Sequence, residues 1–253
     1  MDATRFLLWA IVGVVIGVAS SLLDWQMSSW TYLISILLLL EIVIKFLFMW
    51  VLSPLKFTTA EPGLWTDAAQ EELAQYTTQL NRLGFEQLTD YTIPADEDNK
   101  PVARLFVHPQ KFCFAEIGKV GNAPIFCSIS GQLEKTWTLA VTNTSVSSST
   151  AAVSYAFLRL PHRLFKLRKD ASADVLMQTF EDWRSQVSNH LNLGHAKNIT
   201  AKDYFVREQE ARTNQRKALL YKSITWGLIE LFWFNLSPKA EWLGAYQEKS
   251  VAM

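Results

Sequence analysis

The sequence predicts an α+β fold: an N-terminal two-helix transmembrane hairpin, then one domain with an antiparallel sheet of about five to six strands flanked by helices. Three observations carry this reading. Two apolar runs with almost no charge occupy the N-terminal part of the chain. Short β-rich runs separated by turn residues fill the middle, and apolar stripes of helical period lie on either side of them.

The first apolar run, Phe6 to Leu23, holds no charge, and the second, Trp30 to Leu52, holds Glu41 and Lys45 alone. Each is long enough to cross a ~30 Å hydrocarbon layer at ~1.5 Å per residue. A cleaved signal peptide competes for the first run, but no small-x-small site follows it and one basic residue, Arg5, precedes it. Trp9 and Trp50 fall near one interface, and Trp25 and Trp30 flank the other, as aromatic belts do. Residues 1–56 are therefore expected to form the hairpin, with spans at about 6–23 and 30–52; 57–65 form a breaker-rich linker, and 66–253 the α+β domain. Arg5 and Lys56 flank the spans while the link Asp24 to Ser29 has no basic residue, so both termini and the domain are expected in the cytoplasm.

Within the hairpin, Ala10, Gly13, Gly17 and Ser21 make a small-residue stripe for close helix packing, against the second helix or against a partner's span. Glu41 and Lys45 stand four apart with the acid first, the order that favours an intramembrane ion pair. A passage for ions or small molecules would need Glu41 to face other copies of itself, and the first span offers no relay partner.

The domain opens with a helix near Thr66 or Asp67, with Leu73, Tyr76, Leu80 and Leu83 on one stripe and Gly84 at its C-terminal cap. Six runs then read as strands: Gln87 to Ile93, Val102 to His108, Phe112 to Ile117, Ala123 to Ile129, Thr136 to Thr142 and Ala152 to Leu160. No helical pattern separates them, which points to an antiparallel meander with a tight hairpin at Gly121 and Asn122. The Ser/Thr-rich stretch Asn143 to Thr150 suits either a loop or polar strand extensions. Two helices close the chain. The first, Ala173 to Leu191, presents Val175, Leu176, Phe180, Trp183 and Val187 to the core. The second starts at the capping-box pattern Thr200 to Asp203 and runs through mixed charges into the aromatic segment Ile224 to Leu236, which is too short for a confident span and suits the body or the membrane interface.

Balanced charge, 24 basic against 24 acidic residues, gives no field for nucleic acid, and none is expected as a partner. No phosphate loop, H-E-x-x-H, C-x-x-C or G-x-S-x-G occurs. No catalytic residue, metal site or cofactor is therefore expected: His190 and His195 lack adjacent ligands, Asp96 to Asp98 read as a turn, and Cys113 and Cys127 as buried hydrophobes. The notable patch is Arg159, Arg163, Lys166, Arg168 and Lys169, interleaved with Leu160, Leu164, Phe165 and Leu167. It reads as a solvated connection, as a contact with anionic head groups in a membrane-tethered body, or as a contact with an acidic partner or nucleic acid, and the interleaved Leu and Phe suit a membrane interface better than a phosphate backbone. The expected function is a membrane-anchored, non-enzymatic binding or assembly module whose partners are membrane lipids and a membrane protein complex or a second copy. A membrane-bound enzyme with a dispersed site is the alternative.

Overall fold

The computed structural model describes residues 35, 38–39, 41–47, 49, 52, 54–60, 65, 67–93, 101–121, 123–143, 148–197 and 199–246. The first expected span, with Ala10, Gly13, Gly17 and Ser21, lies outside them, as does Asp96 to Asp98. Of the second expected span, residues 41–47 are helical. Among the described residues no helix is long and apolar enough to cross a membrane.

The body is α+β, a mixed sheet flanked by helices. Eight strands pair in chain order: β1 (Thr58–Thr59), β2 (Glu86–Thr92), β3 (Pro101–His108), β4 (Cys113–Val120), β5 (Phe126–Gln132), β6 (Thr138–Thr142), β7 (Arg163–Leu167) and β8 (Glu241–Trp242). The described helices are α1 (Asp67–Arg82), α2 (Ser148–Val153) continued by a π-helix (Ser154–Leu158), α3 (Ala173–Leu191), α4 (Ala201–Tyr221) and α5 (Ile224–Leu236).

Two expectations are corrected here. Of Ala152 to Leu160, expected as a strand, 152–158 are helical: Ala152 and Ala156, one helical turn apart, are both fully buried, and Ala156 and Phe157 enter a cluster with Leu52, Leu219 and Ile224. A short apolar run has no period that separates strand from buried helix. The stretch expected as a connection supplies β7 instead. Because a helical segment carries the chain from β6 to β7, the two run parallel, the one parallel pair in an otherwise antiparallel sheet.

Local chemistry fixes the helix ends. Gly84, at φ 91°, closes α1 with Gly84 N–H to Asn81 O and Phe85 N–H to Leu80 O, the paired bonds of a Schellman cap. At the start of α4, Thr200 Oγ1 accepts from Asp203 N–H at 3.1 Å, and Asp203 Oδ2 accepts from Thr200 N–H at 3.0 Å. The expected single last helix breaks at Lys222, and Ser223 caps α5 by accepting from Trp226 N–H at 3.4 Å.

Alternation along the strands divides the sheet into two faces. On one, α1 and α3 cover Phe106, Ile117, Ile129, Leu139 and Leu164; α3 contributes Leu176, Phe180, Trp183 and Val187, while Val175 faces outward, 49% exposed. Gly131 leaves space there for Phe180, whose ring would lie 2.7 Å from an added Cβ. On the other face, α4 brings Tyr204 and Phe205 onto Tyr91, Leu105 and Phe114. A third cluster joins Leu52 and Ile44 to Phe157, Leu219, Ile224 and Leu231, so the end of α4, the π-helix and α5 gather beside the 41–47 helix.

Candidate functional site

The face beneath α4 changes character along the sheet. Around β2 to β4 it is aromatic, but from β4 to β7 the same alternation presents Glu116, Ser130, Gln132, Thr138 and Arg163. Gln132 pairs in register with Thr138 and Thr138 with Arg163, so these three stand in one row across β5, β6 and β7. Helical spacing places Tyr204, Arg207, Glu208, Ala211, Asn214 and Ala218 along the facing side of α4.

These groups form a polar network. Tyr204 donates its hydroxyl proton to Glu116 Oε2 at 2.5 Å, and Arg163 Nη2 donates to Glu208 Oε2 at 2.7 Å. Arg207 Nη2 donates to Ser130 Oγ at 3.1 Å, while its guanidinium lies 4.9 Å from the Tyr204 ring centroid and 5.3 Å from that of Phe114. Burial pushes the Glu116 carboxyl above the usual range, opposed by the Tyr204 hydrogen bond and reinforced by the charge of Glu208. Burial acts in the same direction on Glu208, but Arg163 and Arg207 outweigh it and hold that carboxyl below the usual range. Burial and the Glu116 charge raise the Tyr204 phenol, which keeps it a donor.

Beside the network, α4, strands β5 to β7 and the turn before β7 line a half-open cavity of about 340 Å³. Arg163 and Arg207 line it with Gln132, Thr138 and Asn214; Glu210 is the carboxylate of the lining, and Leu160, Pro161 and Ala218 are among its apolar walls. Glu116 lies outside the lining, so it serves the network and does not face the cavity.

The basic residues singled out in the sequence are dispersed. Arg159 lies 3.5 Å from Glu230 and 4.4 Å from the Tyr155 ring centroid. Arg163 and Lys166 occupy opposite faces of β7: the first reaches α4, and the second lies 2.8 Å from Glu241 and 4.7 Å from the Trp183 ring centroid. Arg168 and Lys169 are exposed in the turn that follows. Three of the five positive charges thus have acidic partners on α4, α5 and β8, and the five share no single surface.

Glu41 and Lys45 lie 2.7 Å apart, and Lys45 Nζ also donates to Leu220 O at 3.2 Å in the last turn of α4, where a cation meets the negative end of the helix dipole. Glu230, within the apolar α5, is met by both Arg159 and Lys222, the latter at 2.6 Å. Among the described residues no group of three His, Cys, Asp or Glu side chains is arranged to hold a metal. His190 Nδ1 is 3.2 Å from the Tyr246 hydroxyl, and Cys113 and Cys127 are buried thiols raised to about 12 by burial.

Residues missed in the sequence are those of the α4 network: Glu116, Ser130, Tyr204, Arg207 and Glu208. The available signal was the recurrence of Tyr204, Arg207, Glu208, Ala211 and Asn214 at helical spacing, hidden because its face is polar. Comparison with protein-family models, curated proteins and solved structures finds no match to this chain.

Proposed function

We propose that the protein is a membrane-anchored, non-enzymatic binding module, its α+β body seated on the cytoplasmic membrane surface with α5 lying in the interface. The observation that carries this reading is the apolar outer side of α5. Trp226, Ile229, Phe232, Trp233 and Leu236 are all exposed, Trp233 to 62%, on the helix that shares a buried cluster with Ile44 and Leu52 of the second apolar run. Phe46, on the 41–47 helix, is 71% exposed. So much apolar area beside an apolar run whose two charges pair with each other favours lipid as the neighbour. At thirteen residues α5 is about 20 Å long, which suits lying in the interface and falls short of the ~30 Å hydrocarbon layer. The Lys/Arg bias around the apolar runs supports the cytoplasmic side.

A photo-crosslinking amino acid in place of Phe232, in the full-length protein in native membranes, tests this. Transfer of the label to lipid is expected. Label on a single protein partner at high yield, or on solvent alone, overturns the membrane seating of α5.

A further inference from the structure

We propose that the cavity beneath α4 binds a small hydroxylated oxyanion, a polyol phosphate or polyol carboxylate. Arg163 and Arg207 meet its anionic group, and Gln132, Thr138, Asn214 and Glu210 meet its hydroxyls. The volume of about 340 Å³ lies within the range of small-molecule sites and suits a ligand of this size.

Arg207 is the central observation. Its side chain is nine-tenths buried, with 10% exposure, and it lines the cavity. Its Nη2 has Ser130, but its Nε, 3.5 Å from Glu208 Oε1, makes no hydrogen bond. That Nε is fully buried, so an oxyanion in the adjoining space meets the Nη donors that Ser130 leaves unused. Arg163 spends one donor on Glu208 and shares the same wall. Guanidinium groups carry five donors in a planar fork, so both retain capacity for phosphate or carboxylate oxygens.

The rest of the lining selects for hydroxyls. The row Gln132, Thr138 and Arg163 combines an amide, a hydroxyl and a cation at register positions on three adjacent strands. Across from it, Asn214 and Glu210 lie on α4, and a carboxylate there accepts from hydroxyl groups while disfavouring a bare, highly charged anion. The same side chains would recognise a free polyol phosphate or the head group of an anionic lipid. The inference does not depend on the membrane seating of α5, which lipid photolabelling reads separately.

Calorimetric titration of the full-length protein in phosphatidylcholine nanodiscs tests it, with glycerol 3-phosphate, inositol 1-phosphate, inorganic phosphate and glycerol as probes. Saturable binding of at least one polyol phosphate is expected, weaker binding of inorganic phosphate, and none of glycerol. Arg207→Gln should weaken the phosphate ester about tenfold or more. Asn214→Ala and Thr138→Val, at the cavity wall, should weaken it less while leaving inorganic phosphate nearly unchanged. Nanodiscs containing phosphatidylglycerol separate the two sources: an unchanged isotherm identifies a soluble ligand, and suppression that Arg207→Gln abolishes identifies a head group in the same cavity. Absence of saturable binding by both esters, glycerol binding as well as its phosphate, or affinities unchanged in folded Arg207→Gln and Asn214→Ala would overturn the proposal.

Discussion

Gly227 is where the body and its apolar helix meet most closely, and replacing it with alanine tests how rigidly α5 is held. A Cβ built there would lie 2.1 Å from Phe157 Cε1, 2.6 Å from Cζ and 2.8 Å from Cδ1. Carbon atoms in contact prefer ~3.5 Å or more, so ring and helix must separate by about 1.4 Å. Phe157 is 4% exposed and sits in the cluster with Leu52, Leu219 and Ile224, so its ring has no open side to move into. Overpacking of this kind costs about 1–3 kcal/mol, and so short a distance belongs at the upper end. Against this, alanine is favoured over glycine in a helix interior by about 1 kcal/mol. The clash wins, and Gly227→Ala is expected to destabilise by about 2 kcal/mol.

A double-mutant cycle separates the two effects. Phe157→Ala alone should cost about 3–5 kcal/mol by opening a cavity. In that background the added methyl has space, so Gly227→Ala should become neutral or stabilising, a coupling of about 2–3 kcal/mol. Urea unfolding in detergent, followed by far-ultraviolet circular dichroism, reads both; at a slope of ~2 kcal/mol/M the single Gly227→Ala change moves the midpoint down by about 1 M. Equal effects of Gly227→Ala in the two backgrounds, or a more stable single variant, would refute the packing argument.

Three further outcomes follow from the same reasoning. Gly131→Ala sets a methyl 2.7 Å from Phe180 Cζ in the main core, where Phe180 is fully buried, and should lower stability by about 1–3 kcal/mol in the same unfolding assay. Asn143 accepts from Cys127 N–H at 2.7 Å and donates to Tyr76 Oη and Ala171 O at 2.8 and 2.9 Å; Asn143→Ala should cost about 3 kcal/mol, and Asn143→Asp, which loses both donors, no less. Since burial raises the Glu116 carboxyl in the folded protein, its stabilising effect is complete below the unfolded carboxyl value of ~4.3 and is lost as pH rises through the folded value. Glu116→Gln should therefore gain stability relative to the parent as pH increases from about 4.3 toward neutrality. A difference that stays constant with pH, or shrinks, contradicts this assignment.

The fold was legible where side-chain period and cap chemistry agreed. Leu73, Leu80 and Gly84 marked α1, Leu176, Phe180 and Val187 marked α3, and the alternation in β3 and β4 is the one that separates Phe106 and Ile117 from Leu105 and Phe114. It failed where two periods fit the same residues. Ala152 to Leu160 is apolar enough for a buried strand, and what makes 152–158 helical is the cluster that Ala156 and Phe157 enter, built from Leu52, Leu219 and Ile224 at distant positions. Arg163 to Leu167 fits a strand equally well, but its charges pointed to solvent; Glu208 and Glu241, far along the chain, neutralise them.

The same cause hid the site. A helix of mixed charge reads as a solvated surface, and α4 has little amphipathic signal because the side it presents to the sheet is itself polar. Its charges answer charges on other elements: Glu208 meets Arg163 of β7, Arg207 meets Ser130 of β5, and Tyr204 meets Glu116 of β4. The helix is anchored in the same manner from its middle to its C-terminal end, where Gln209 and Gln215 donate to Leu55 O and Leu158 O and Leu220 O accepts from Lys45. Apolar contacts tolerate sliding along a helix, whereas hydrogen bonds at separated positions fix its register. A helix of 21 residues, about 30 Å long, therefore holds the cavity, lined from Arg207 to Ala218, and the apolar cluster that begins beside it at Leu219 in a fixed relation. That relation is set by pairs of residues up to 175 positions apart, which no local pattern in the sequence encodes.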